Sequence, residues 1–132
     1  MIHIVVLTHG ALGHELLKTC EMIIGKQDGI DILTVQIGMS LKQITSQLDE
    51  IVEKHSKEGI LIFTDMFGGS PSNIAMSYLG NENIEVLTGV NLPMLLKALS
   101  VRSDMRNVKS FAEAIMQSGI ESIILAGDIL KK

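Results

Sequence analysis

Tryptophan is absent from the 132-residue sequence, and only four aromatic rings are present, at Phe63, Phe67, Tyr78 and Phe111. A flavin or an unpaired base would find few faces to stack on, which argues against flavin chemistry and single-strand recognition. Cysteine occurs once, at Cys20, so an intrachain disulfide is excluded. The amino terminus carries neither the basic region nor the cleavage motif of a secretory signal, and the expected compartment is the reducing cytoplasm. No apolar run approaches the ~20 residues of a membrane-spanning helix. The longest, residues 2–7 (broken by His3) and 123–126, are strand-length. Basic blocks are missing too: 11 Lys and Arg against 15 Asp and Glu give a net charge of −4, which argues against nucleic acid as a partner. With two prolines, no repeat and no low-complexity linker, residues 1–132 are expected to form one domain.

Apolar residues make up 46% of the chain, enough for a core, and their spacing alternates between two periods. Short runs rich in Ile, Val and Leu at residues 2–8, 32–37, 60–64, 84–88 and 122–126 predict strands. Runs apolar on both faces belong in a parallel sheet covered on both sides. Between them, Leu12, Leu16, Leu17, Cys20, Ile23 and Ile24 share one helical face, with Cys20 expected in the core. A second helix follows Ser40, with Gln43 completing a capping box. A third starts at Ser70-Pro71, with Ser70 as its cap, and a fourth follows Asn91. A fifth follows Ser110 and stops at Gly119. The expected fold class is α/β, a flavodoxin-like doubly wound sheet with parallel strand order 2-1-3-4. The apolar segment 122–126 would then be a last strand needing a partner at the sheet edge.

In such a sheet, ligands bind at the carboxyl ends of the strands where the winding reverses, between the first and third strands. Thr8-His9-Gly10 ends one and Thr64-Asp65-Met66-Phe67-Gly68-Gly69-Ser70 follows the other. A neutral imidazole held by a carboxylate at one nitrogen is a nucleophile at the other, which pairs His9 with Asp65. Gly10 precedes a helix start, and Gly68, Gly69 and Ser70 allow close backbone approach to an anion of phosphate size. Met66 and Phe67, apolar at a loop tip, are candidates for a protein-docking surface. His3 within a strand and His55 near a helix end are expected to be structural. His14 stands five residues from His9, off the one-turn spacing of two ligands on a helix, so neither a metal site nor a cofactor is expected.

The sequence resembles the IIA component of the mannose, fructose and sorbose class of sugar phosphotransferase system (PTS). The matching segments run in order: Ile4-Val5-Val6-Leu7-Thr8-His9-Gly10, residues 16–25, residues 59–65, Gly68-Gly69-Ser70-Pro71-Ser72-Asn73 and residues 88–95. The resemblance implies that His9 accepts a phosphoryl group from the histidine-containing phosphocarrier HPr. His9 would pass it to a histidine of the IIB component, which phosphorylates a sugar during import through the membrane components IIC and IID. It casts Asp65 as the residue that orients His9 and Ser70 as a serine near the phosphoryl group. Thr8, Gly10, Met66, Phe67, Gly68 and Gly69 would form the phosphoryl or partner surface. It also implies a homodimer in which an antiparallel carboxyl-terminal strand is exchanged. The sequence ends at Lys132 without an Ala/Pro/Gln-rich linker, so a IIB component on a separate chain is expected. Met66-Phe67 stands where an aromatic such as Trp is expected, a departure at the docking loop. The sugar is not written in a IIA sequence, because IIA does not meet it in this scheme.

Two rivals share the fold. One is a phosphotransfer subunit feeding a dihydroxyacetone kinase, whose second loop is shorter than Phe67-Gly68-Gly69-Ser70-Pro71. The other is a non-catalytic regulatory module. A receiver domain would need clustered acidic residues for Mg²⁺, and the first strand ends without one.

Overall fold

The structure, a computed structural model, describes residues 1–131. Four strands alternate with helices: β1 (His3–His9), α1 (Leu12–Ile24), β2 (Ile30–Val35), α2 (Leu41–His55), β3 (Ile60–Thr64), α3 (Ser70–Met76), β4 (Ile84–Leu87), α4 (Leu92–Val101), α5 (Val108–Glu121) and α6 (Ala126–Leu130). All strand pairs are parallel and the order is β2-β1-β3-β4, as expected from the alternating periods. Side chains alternate across a strand, so β1 serves two cores at once. Ile4 and Val6 pack with Cys20 of α1, Leu95 of α4 and Phe111 of α5. Val5 and Leu7 pack with Ile44 and Leu48 of α2 and Ala75 of α3. Cys20 is fully buried, and burial pushes its thiol up to about 11, so it stays protonated and inert.

Helix starts follow local side chains, though not always the expected ones. Ser40 caps α2 by accepting from the Lys42 N–H, and Asn91 caps α4 by accepting from Met94. Helix α5 begins earlier than its Ser110 signal, because the Asn107 side chain accepts from the Ser110 N–H. Gly119 lies inside α5, packed against Met94, where no side chain would fit. Strand β2 also begins and ends early. Gly29 turns at φ +68° just before it, and Ile37, beyond its end, is fully exposed.

The carboxyl-terminal segment departs from expectation. Residues 122–125 are not a strand, and 126–130 form the short helix α6. A strand needs a neighbour to satisfy its ladder, and none of the described residues offers one there. Ile123, Ile124, Leu125, Ile129 and Leu130 are consequently exposed.

One buried charge ties the far ends of the chain together. Arg102, 4% exposed, donates to the carbonyls of Asp28 and Gly29 in the turn before β2. Arg102→Leu keeps the bulk but leaves the Asp28 carbonyl without this donor. We expect a loss of about 2 kcal/mol, read as a lower urea midpoint at unchanged m-value.

Candidate functional site

The strand order brings the ends of β1 and β3 together at the carboxyl edge of the sheet, where winding reverses. Asp65, the first residue after β3, reaches back to His9. Its Oδ2 meets the His9 ring Nδ1 at 2.8 Å and also accepts from the His9 backbone N–H at 3.0 Å. Its Oδ1 accepts from the Met66 N–H at 3.0 Å. Partial burial opposes the Asp65 charge, but the His9 backbone N–H and ring outweigh it and hold the carboxyl below its usual range. A carboxylate there accepts the Nδ1 proton, so the neutral ring carries its lone pair on Nε2. Asp65 is 13% exposed and His9 is 48% exposed, so the anchor is more sheltered than the ring it holds.

The glycine-rich loop closes on that ring. A Cβ on Gly69 would stand 2.8 Å from His9 Cε1 and 3.4 Å from Nε2, so only glycine lets the backbone pass this close. Gly68 adopts φ +92°, a left-handed turn. The loop is pinned by Ser72, whose hydroxyl accepts from the Gly68 N–H and donates to the Gly69 carbonyl, both at 3.0 Å. Ser72 was not singled out from the sequence; a serine four residues after a Gly-Gly step is the signal that marks it.

Gly69, not Ser70, is the cap residue of α3, and Ser70 occupies the first helical position. Its hydroxyl makes no hydrogen bond among the described residues and stays available beside the loop. Thr8 corrects the expected surface: it is fully buried, and its hydroxyl accepts from the Gly13 N–H, bracing the start of α1 from below. Gly10 turns at φ +56° and donates to the Val35 carbonyl. Met66 and Phe67 are exposed at 55% and 71%. A cleft of about 610 Å³ opens on the β2 side of His9, lined by Gly10, Val35, Gln36 and Ile37. The His9–Asp65 pair and the glycine loop themselves lie between the ends of β1 and β3, as expected.

The family model for the PTS system fructose IIA component, EIIA-man, matches residues 3–116. The chain belongs to this family. It is similar to the PTS system mannose-specific EIIAB component of Escherichia coli K12, 31% identical over 124 residues. That match covers 92% of this chain and 38% of the relative, so the chain spans about two fifths of the mannose protein. It is also similar to the fructose-specific EIIA component of Bacillus subtilis, 27% identical, covering 89% and 86% of the two chains. Among solved structures it resembles phosphotransferase component EIIA from Streptococcus agalactiae, with TM-score 0.88, 29% identity and coverage of 94% and 96%. By family, the chain is a PTS IIA component of the mannose, fructose and sorbose group. His9, Asp65 and the glycine loop all lie within the matched residues.

Proposed function

We propose that this PTS IIA chain, one domain over residues 1–132, is a cytoplasmic phosphoryl carrier with His9 as the carrying residue. One observation carries the proposal: Asp65 occupies Nδ1 of the half-exposed His9 and leaves Nε2 as the uncommitted ring nitrogen. The Nε2 lone pair attacks the phosphorus of a phosphohistidine on HPr. The N–P bond to the donor ring breaks, and that ring leaves with the electron pair. His9 becomes cationic during the attack, and Asp65 stabilises that charge through the Nδ1 proton. Donors around the glycine loop, including the Ser70 hydroxyl, take up charge on the equatorial oxygens. The reverse attack by a IIB histidine empties the carrier toward the membrane components IIC and IID. No helix among the described residues is long and apolar enough to cross a membrane.

Leu12, Ile37, Met66 and Phe67, all exposed near His9, support protein docking on this face. Incubation with phosphoenolpyruvate, enzyme I and HPr tests the reading. We expect one acid-labile phosphate per chain that a IIB component discharges, and no labelling from Mg-ATP. Efficient labelling from Mg-ATP, or none from phospho-HPr, refutes it.

The assembly belongs to the same proposal. Strand β4 is a sheet edge, and Ile123 lines a groove with Leu87 and Met116 beside it. Residues 122–126 of a second copy, extended along that edge, would bury both apolar surfaces in a homodimer. Light scattering should give twice the chain mass for the full protein and a single mass for a chain truncated before Ser122. A full-length protein that stays monomeric at high concentration overturns the dimer and leaves the chemistry untouched.

A further inference from the structure

At the opposite end of the sheet from His9, four elements bring polar groups to one point. His3 of β1 is 6% exposed and shares the inward face of Val5 and Leu7, where an apolar residue would suit the core better. Its Nε2 meets Oδ2 of Asp31 in β2 at 2.7 Å. Its ring stacks on that of His55, the last residue of α2, with centroids 3.7 Å apart and planes 5° from parallel. His55 Nδ1 in turn meets Oε1 of Glu58, in the 3₁₀ turn that follows, at 3.1 Å. One donor atom from each of His3, Asp31 and His55 lies within 4.8 Å of the others.

We propose that His3, Asp31 and His55 form a structural site for a borderline divalent cation, Zn²⁺ above all, with Glu58 orienting His55. Two imidazoles and a carboxylate are the donor set such an ion prefers. The ion takes the place of the proton shared by His3 Nε2 and Asp31 Oδ2. Glu58 holds His55 by Nδ1 and so presents Nε2 as the metal-binding nitrogen, the carboxylate–histidine–metal arrangement. Bonds of about 2.0–2.2 Å place tetrahedral donors roughly 3.4 Å apart, so the His3–Asp31 pair, now at 2.7 Å, has to open around the ion while His55 adjusts to meet it. Parallel rings do not aim their lone pairs at one point, and His55 must tilt out of the stack. His55 sits at a helix end with 20% of its side chain exposed, and Asp31 is 46% exposed, so both have room to turn. The fourth position is left to water or to a second carboxylate oxygen. Spacing along one helix, the signal for metal sites in sequence, misses this set, because its members lie on two strands and a helix end. The site is independent of phosphoryl transfer and would clamp α2 to the amino-terminal edge of the sheet.

The test uses the full chain, stripped with chelator and titrated with Zn²⁺ by calorimetry and with Co²⁺ by visible absorption. Wild type and His9→Ala should each bind one equivalent, and Co²⁺ should give the intense band of a tetrahedral site. Zn²⁺ at a hundredfold over Kd should raise Tm by on the order of 10 °C. His55→Ala should lose the site, and Glu58→Gln, a surface change that spares the fold, should weaken binding roughly tenfold. Failure of the wild type to bind one equivalent overturns the proposal. So does binding undiminished in His55→Ala, or binding lost in His9→Ala, which would place the ion at the phosphoryl site.

Discussion

His9→Ala is expected to take up no phosphoryl group from phospho-HPr, with label falling to background while the fold and melting temperature stay near those of the parent. His9 is half exposed, so its removal opens no cavity and costs little stability. Its loss removes the imidazole that Asp65 holds by Nδ1 at the end of β1. Peptide mapping of the wild type at neutral to basic pH should find the phosphate on His9, and not on His14, His3 or His55. Label retained by His9→Ala, or mapped to His14, would reassign the carrier.

The second large effect is expected from Asp65→Asn. An amide accepts from the His9 N–H but does not stabilise a cationic ring, and its NH₂ group favours the wrong tautomer by donating to Nδ1. Transfer should slow by roughly 10²-fold or more in rapid-quench measurements, with HPr affinity little changed. A titration separates this from mere loss of structure. The Asp65 carboxyl is held below its usual range when folded, so its contacts stabilise the protein above the unfolded carboxylate pKa. That contribution disappears as pH falls through the depressed value. The variant should therefore lose part of the acid limb of the stability curve and differ least from wild type at low pH. A variant that transfers at the parental rate would reduce Asp65 to a turn former.

Much of this architecture was legible because parallel strands buried on both faces write continuous apolar runs. Strand β3 fell on residues 60–64 as expected, and the 2-1-3-4 order followed from alternation with helices. That order was enough to bring His9 and Asp65 together from 56 positions apart. What failed had specific physical causes. Ile37 extends the apolar run of β2 but lies past its last pair, His9 with Val35, and it faces solvent. Residues 122–125 have strand composition, but a strand is a relation between two segments, and composition names only one. Ser70 suits a cap, but Gly69 takes that position, and Ser72 is the serine that pins the loop. The His3 and His55 stack joins two residues whose local patterns carry no trace of each other.

The three contacts of Asp65 have a bearing on how long a phosphoryl group would survive on His9. The His9 side chain is half exposed, so a phosphoryl group on it would be within reach of water. Protection against hydrolysis then has to come from chemistry instead of enclosure. Asp65 is the carboxylate bonded to His9, and its oxygens are committed to the His9 ring, the His9 N–H and the Met66 N–H, all on the Nδ1 side. It is not placed to take a proton from a water approaching phosphorus beyond Nε2. An incoming histidine brings its own lone pair and needs no such help, whereas water does. If His9 carries the phosphoryl group as proposed, the same grip would slow leakage to solvent and let the chain hold its cargo between two encounters.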